Sequence, residues 1–404
     1  MTTRRLPKWS ELKPLLQTQK IEWDPTERRL AKAQTIGDLR RIAKRRTPSA
    51  PFDYTDGAAD GEVSLRRARS AFARLQFNPS ILRDVSKIDT STTIQGNPSA
   101  YPIIFAPTGF TRMMHTEGER AVVRAAQKYG IPYALSTMGT TSIEDVAAAG
   151  PDVDKWFQLY IWSDHGAGKE LVQRSHAAGY TTLILTVDVP VAGARLRDVR
   201  NGMTIPPALT LKTFLDGAMH PNWWFDFLTT EPLQFASLSH WEGTVADMIN
   251  HMFDPTVTLK DLDWIRDAWP GRIVIKGIQT VEDARRVVDP AGAEGIVLSN
   301  HGGRQLDKAP VPLELLPSVA AAVGDRTEIY LDTGVTSGSD IAAALALGAD
   351  AVLVGRAYLY GLMAGGQRGV ERAAEILTSQ LRRTMALLGV NSVDELTPSH
   401  VTLR

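Results

Sequence analysis

From about residue 100 onward, short runs of β-branched and other apolar residues alternate with longer segments whose apolar positions recur every three or four residues. The runs lie at 103–106, 133–136, 156–160, 183–187, 273–276, 295–298, 328–331 and 351–354, and a helical pattern follows each. Uninterrupted apolar runs suit strands buried on both faces, and their alternation with helices is the mark of parallel βα units. Eight such units predict an α/β protein built on a closed (β/α)8 TIM barrel. A doubly wound open sheet is the architectural alternative, because spacing does not fix strand order. The run ends favour the barrel. They carry Pro107-Thr108-Gly109, Ser136-Thr137-Met138, Gln158 with Tyr160, Thr186 with Asp188, Lys276-Gly277, His301, Asp332-Thr333-Gly334 and Gly355-Arg356. A barrel gathers all of these on one face, whereas an open sheet strings them along an edge.

Two stretches stand outside this rhythm. Residues 1–95 read as a polar, helical N-terminal arm covering the mouth of a barrel domain at 96–404. Within the arm, Phe52-Asp53-Tyr54-Thr55-Asp56-Gly57 marks a turn that brings Tyr54 over the mouth, with simple packing as the other use of that tyrosine. The connection after the fourth strand, 190–258, is far longer than a βα link needs, so it is an inserted lid, docking surface or subdomain. Its segment 221–228, Pro-Asn-Trp-Trp-Phe-Asp-Phe-Leu, places aromatics beside His220 and near Lys212. Such a segment suits either a peripheral membrane contact or the small core of the excursion.

Composition narrows the partners. The 404 residues are 43% apolar and 22% charged, and 45 Lys plus Arg balance 45 Asp plus Glu, so no global field draws nucleic acid. The absence of cysteine excludes disulfides, thiolate metal sites and a cysteine nucleophile. The N-terminus has no apolar signal region, and no window holds 18 uninterrupted apolar residues. The expectation is a cytoplasmic protein acting on a small molecule.

The strand ends suggest the chemistry. His301 offers a proton acceptor and Arg304 a two-pronged grip for a carboxylate, unless Arg304 merely pairs with Asp307 on the surface. Asp188 is placed to hold one tautomer of His301, and Arg195 to join Arg304 at the carboxylate, with Tyr54 and Tyr160 around the same cavity. Lys276 ends a buried strand, where it serves either a Schiff base or the electron-rich edge of a flavin. The neutral hydrogen-bonding groups of Ser136, Gln158 and Thr186 tilt the choice towards a flavin. Asp332, Gly334, Gly355 and Arg356 stand where barrels commonly bind phosphate. No Gly-x-Gly-x-x-Gly run or clustered metal-ligand pattern is present, so no metal is expected and a redox reaction would need a tightly held flavin.

Ser299-Asn300-His301-Gly302-Gly303-Arg304-Gln305-Leu306-Asp307 resembles the signature of the FMN-dependent L-2-hydroxy acid dehydrogenase and oxidase family. Further markers are Ala106-Pro107-Thr108-Gly109, Phe157-Gln158-Leu159-Tyr160, Thr186-Val187-Asp188 and Leu353-Val354-Gly355-Arg356, and the likeness runs from about residue 36 to 401. It implies FMN as cofactor, His301 as base, Asp188 as its partner, and Lys276 as the group that stabilises reduced flavin. It also implies Arg195, Arg304, Tyr54 and Tyr160 as ligands of the substrate. Pro107, Thr108, Gly109, Ser136, Gln158, Thr186 and Lys276 would hold the ring and ribityl chain, with Asp332, Gly334, Gly355 and Arg356 along the ribityl and phosphate end.

Three departures stand out. Thr336 replaces an arginine of many members, so Arg356 carries more of the phosphate; Met138 replaces the tryptophan of several oxidases; and Gly109 replaces their alanine, which counts against a plain oxidase. Within the family the chain is most similar to bacterial respiratory, quinone-linked L-lactate dehydrogenases. The similarity lies in Asn201-Gly202-Met203 with Pro206-Pro207, the Trp-rich excursion, Phe253-Asp254-Pro255, Leu262-Asp263-Trp264-Ile265-Arg266 and Tyr358-Leu359-Tyr360-Gly361-Leu362. That implies L-lactate as substrate, a quinone or other respiratory acceptor, peripheral attachment to the cytoplasmic face of the inner membrane through 221–228, and a homo-oligomer, with a tetramer favoured. The rival readings are an oxygen-using oxidase or monooxygenase, a dehydrogenase of glycolate, mandelate or a larger hydroxy acid, and a non-catalytic flavin-binding barrel.

Overall fold

The computed structural model describes residues 5–15, 22–162, 165–202, 211–236 and 254–404. Of the segments singled out above, residues 203–210 and 237–253 lie outside the described residues, and with them Met203, Pro206, Pro207 and Phe253.

Eight parallel strands close into a barrel: β1 (Ile103–Phe105), β2 (Tyr133–Ser136), β3 (Lys155–Leu159), β4 (Thr182–Thr186), β5 (Arg272–Ile278), β6 (Gly295–Leu298), β7 (Glu328–Leu331) and β8 (Ala351–Val354). They pair in chain order, and β8 returns to β1 through Val352 beside Ile103 and Val354 beside Phe105. The open-sheet alternative is thereby excluded. Side-chain alternation explains the continuous apolar runs. Ile104, Trp156, Ile184, Val274, Val297, Tyr330 and Leu353 fill the barrel interior. Their neighbours Ile103, Phe105, Phe157, Leu183, Leu185, Ile273 and Ile296 pack outward against the helices. Several boundaries fall a residue or two from the sequence expectation; Ala106, Tyr160 and Val187 lie just past their strands, and β5 runs on to Ile278.

Four helices of the arm matter to the mouth: α1 (Pro25–Leu30), α2 (Ile36–Arg46), α3 (Ser49–Asp56) and α4 (Val63–Ala73). The entry to α2 is written locally. Thr35 Oγ1 accepts from the Asp38 amide at 3.1 Å, and the Asp38 carboxylate accepts from the Thr35 amide at 2.9 Å. Of residues 52–57, expected to turn, 52–56 belong to the helix Ser49–Asp56, with the turn deferred to Gly57 at its end. The excursion after β4 contains α5 (Leu196–Arg200), α6 (Leu211–Ala218) and α7 (Pro221–Thr229). From the end of β8 springs α8 (Arg356–Leu388), kinked at Gly365 and Gly366. No helix among the described residues is long and apolar enough to cross a membrane.

One buried carboxylate ties these additions together. Asp56, at the end of α3, accepts from Arg40 Nη2 of α2 at 2.7 Å, Arg197 Nη1 of α5 at 3.0 Å and the Tyr360 hydroxyl of α8 at 2.8 Å. Its side chain is 4% exposed while Arg40 and Arg197 keep access to water, so less is lost on breaking the cluster than with a fully buried pair. Asp56→Ala should lower the stability of the arm by about 2 kcal/mol. Limited proteolysis in a denaturant series, reading cleavage of residues 22–73, checks this; an unchanged cleavage midpoint would contradict it.

Candidate active site

The carboxyl-end face of the barrel opens into a cavity of about 770 Å³. The residues assigned from the sequence to cofactor and substrate, together with His301 and Met138, line it, and Asp188 stands behind His301. Tyr54 arrives from α3; Pro107, Thr108 and Gly109 follow β1; Ser136 and Met138 close β2; Gln158 and Tyr160 come from β3, Thr186 from β4 and Lys276 from β5. Asp332 and Gly334 follow β7, and Gly355 and Arg356 follow β8.

His301 sits in a short turn in which it, Gly302 and Gly303 all have positive φ, at 59°, 66° and 76°. For a histidine this is a sparsely populated conformation, and it aims the ring off the strand axis. The Ser299 hydroxyl anchors the turn by accepting from the His301 amide at 2.9 Å. His301 Nδ1 lies 3.1 Å from Asp188 Oδ1, which leaves Nε2 for a ligand. Gly277, at φ 110°, makes this pairing possible, since a Cβ there would lie 2.7 Å from Asp188 Cβ. Burial pushes the His301 pKa below its ordinary 6.5; the Asp188 charge opposes that shift and the Lys276 charge adds to it. For Asp188, burial works against ionisation, but the His301 ring and the Lys276 ammonium win and hold its pKa below the usual carboxylate value. A neutral imidazole against a charged carboxylate is the resting state these directions give.

Arg304 does not pair with Asp307, whose carboxylate instead accepts from the Val63 and Ser64 amides at 3.2 and 2.8 Å. Arg304 Nη1 donates to the Tyr54 carbonyl, and its guanidinium lies 4.7 Å from the centre of the Tyr54 ring. Arg195 approaches the same ring at 5.9 Å, and its Nε is buried with no hydrogen-bond partner. Burial and the Arg195 charge bring the Arg304 pKa down to about 9. Two guanidiniums crowded over one ring, with donors to spare, form a receptor for an anion. Burial and the Asp188 charge raise the Tyr160 pKa well above 10, so its hydroxyl stays protonated.

The opposite wall is short of partners in a different way. Ser136 Oγ donates to Gln158 Oε1 at 2.9 Å, leaving Gln158 Nε2 buried without an acceptor; Thr186 Oγ1 is likewise buried and unpartnered. Such groups are costly unless a ligand meets them, and a flavin's pyrimidine edge offers matching acceptors and a donor. Below them, the buried Lys276 donates to Ser299 Oγ at 3.2 Å and lies 3.5 Å from Asp332 Oδ2. A Cβ on Gly109 would stand 2.8 Å from Met138 Cβ, so glycine sets the width of the cavity here.

Several lining residues escaped the sequence reading. Arg69 of α4 reaches the end of the cavity formed by the loops after β7 and β8, donating to the Gly334 carbonyl and to Asp340 Oδ2 at 3.1 Å. Phe110 packs edge-on to Tyr54 at 5.8 Å and against Phe235 of the excursion at 4.5 Å. Behind the lining, Tyr358, quoted above as part of the family resemblance, donates to the Ala106 carbonyl at 2.8 Å and lies 2.6 Å from Thr108 Oγ1, fixing the loop after β1. No local pattern marks Arg69, because its partners lie more than 260 positions away.

The family model described as FMN-dependent dehydrogenase matches residues 43–403. A relative from Mycobacterium tuberculosis, whose L-lactate dehydrogenase name is provisional, is 60% identical over 399 residues, covering 99% of this chain and 96% of its own. An L-lactate dehydrogenase of Xanthomonas campestris pv. campestris is 43% identical over 368 residues, covering 89% of this chain and 94% of that protein. Among solved structures, (S)-mandelate dehydrogenase, described as a monotopic membrane protein, superposes with a TM-score of 0.89 at 38% identity over 92% of this chain and 100% of that one. A mandelate oxidase gives 0.80 at 39% identity, over 92% and 99%.

The directions of the His301 shift are open to titration by NMR of the imidazole. Its midpoint should lie below 6.5 in the free protein, and Asp188→Asn should move it lower still, because the carboxylate is what favours the imidazolium. A rise in the variant would mean that Asp188 does not act on His301.

Proposed function

This chain belongs to the family of FMN-dependent dehydrogenases, as an oxidoreductase of 2-hydroxy acids with FMN as its cofactor, and from that premise we propose that it oxidises L-lactate to pyruvate and passes the electrons to a respiratory quinone. The observation that carries this reading is the placing of two guanidiniums beside a carboxylate-backed imidazole in one cavity. That arrangement suits a molecule with a carboxylate and, one carbon away, a hydroxyl. Two relatives named L-lactate dehydrogenase, one of them provisionally, support lactate as the acid. The mandelate enzymes among the similar structures favour an aromatic hydroxy acid as the second reading, with Met138 as an adaptable wall.

In this reading Arg195 and Arg304 clamp the carboxylate, and Tyr54 and Tyr160 complete the contacts to carboxylate and hydroxyl. His301 Nε2 takes the hydroxyl proton. Asp188 keeps Nδ1 protonated, fixes the ring and stabilises the imidazolium once it forms. FMN, when bound there, would supply the acceptor for the two electrons and the Cα hydrogen that the substrate gives up as its Cα–H bond breaks. Gln158, Ser136, Thr186, Pro107, Thr108 and Gly109 hold its ring and ribityl chain. Lys276 provides the positive charge that reduction calls for. Asp332, Gly334, Gly355 and Arg356 serve the ribityl and phosphate end, where Arg69 adds a second cation.

The exposed Phe225 and Leu228 of α7 support peripheral attachment to the cytoplasmic face of the inner membrane, which would bring the protein to its quinone. Both side chains are about 70% exposed.

Anaerobic reduction of the bound flavin by a panel of L- and D-2-hydroxy acids tests the substrate, and L-lactate should reduce it fastest. His301→Gln should keep its yellow cofactor and slow that reduction by about 10²- to 10⁴-fold. Arg304→Lys, which loses the two-pronged grip, should raise the lactate concentration for half-maximal reduction by about 10- to 100-fold. Reoxidation by a quinone analogue should outpace that by oxygen. Faster reduction by mandelate, or fast reoxidation in air, would overturn the lactate or the quinone assignment respectively.

A further inference from the structure

A second cavity, of about 390 Å³, adjoins the first where the excursion returns to the barrel. It is walled by the ends of β4 and β5, by the helix Val281–Val288, and by residues 254–262, which lead into the helix Asp261–Ala268. Tyr160, Thr186 and Val189 line both cavities, so a single layer of side chains separates their contents. The oxidation of the hydroxy acid makes no use of the second one.

Its lining sorts the molecules it can hold. Leu185, Val257, Leu262, Ile275, Ile278 and Val287 make its walls mostly apolar. The charged lining groups are three acids, Asp188, Asp254 and Asp283, and one cation, Arg286, which is paired with Asp283 at 2.9 Å. No unpaired cation remains in the lining, so a second hydroxy acid is turned away and a neutral, largely apolar molecule is admitted. Val187 and Leu259 also line it and remain exposed, so it opens outward past apolar groups along which a hydrocarbon tail can leave.

Two polar groups of the lining await a partner. Asp188 has Oδ1 engaged by His301, while its Oδ2 is buried with no hydrogen-bond partner. The Gln279 carboxamide makes no hydrogen bond among the described residues. A ring with oxygens on opposite edges has a use for both: a carbonyl accepts from Gln279, and a hydroxyl, once the ring is reduced, donates to Asp188.

We propose that this second cavity is the docking site of the quinone, its ring standing behind the wall of Tyr160, Thr186 and Val189 while substrate and flavin fill the first cavity. This rests on the quinone reading above and adds to it where the acceptor binds and which residues admit it. Two electrons cross the shared wall to the quinone, and each of its oxygens takes up a proton from water at the mouth. Lactate releases its hydroxyl proton through His301, and the proton of its Cα hydrogen returns to water when the flavin is reoxidised. Lactate and quinone thus give pyruvate and quinol in balance. Because the cavities are separate, the acceptor reaches the reduced enzyme without waiting for pyruvate to leave.

Reoxidation of the holoenzyme by duroquinone, after one equivalent of dithionite has reduced the flavin, tests the site independently of the acid. Leu259→Trp at the mouth and Val257→Phe in the wall should each slow it by about tenfold or more, and weaken duroquinone binding to the oxidised holoenzyme in equilibrium dialysis by as much. Reoxidation by ferricyanide, which needs no cavity, and anaerobic reduction by lactate should stay within about twofold of wild type. Should one variant lose its FMN, the other decides. Pyruvate should leave duroquinone binding unchanged. Wild-type rates and binding in the variants, or displacement of duroquinone by pyruvate, would overturn this site and leave a quinone acceptor standing. A wild-type flavin that duroquinone fails to reoxidise would overturn both.

Discussion

The constraint on which this structure turns is the gathering of positive charge at one end of a barrel, much of it shielded from bulk water. Lys276, Arg195, Arg304, Arg356 and Arg69 all line one cavity, and the nearby carboxylates Asp188, Asp332 and Asp340 do not neutralise them all. Desolvation depresses the Arg304 pKa to about 9 and holds His301 below 6.5. A protein retains such an arrangement only if anions complete it. In the proposed reading, a hydroxy acid carboxylate at one end and a flavin phosphate at the other supply anions of the matching sign. Burial, with the Lys276 and Arg195 charges adding to it, keeps the imidazole neutral, so the enclosure that strengthens anion recognition also prepares proton transfer.

How much of this was legible in the residues depends on how far apart the partners lie. The barrel strands could be placed to within a residue or two because a strand buried on both faces must be apolar throughout, and 103–105 or 295–298 leave no other reading. The cavity-lining residues were legible for a related reason: each stands at the end of its own strand, and closure brings strand ends together whatever the loops do. Tyr54 was harder, since its segment turned out to be the helix Ser49–Asp56, where helical packing overrode the turn suggested by Asp56-Gly57. Arg69 and the Asp56 cluster were not legible at all. Arg69 meets Gly334, and Asp56 meets Arg197 and Tyr360, across separations that no local period encodes. The aromatic segment 221–228 showed its composition but not its direction. Whether tryptophans face inward or outward depends on the surface they meet, here Met113.

The excursion is more than an attachment. Trp223 bonds the carbonyl of Met113, and Phe235 packs on Phe110, so the short helix Thr111–Met114 and the residue that caps it are held at two points by the inserted segment. Phe110 in turn meets the edge of Tyr54. The helices that face outward and the tyrosine that faces the cavity are therefore three side chains apart.

The arginines that line the substrate cavity also fasten the arm. Arg304 donates to the carbonyl of Tyr54, and Arg356 donates to those of Thr55 and Gly57 at 2.9 and 2.8 Å. These contacts join segments 250 to 301 positions apart, so none of them can form until the far strands of the barrel are in place. The cavity is thus completed late in folding by a clasp made of its own working residues. Loss of the clasp would strip the cavity of its roof before the barrel beneath it melts, making catalytic competence a more fragile property of this molecule than its fold.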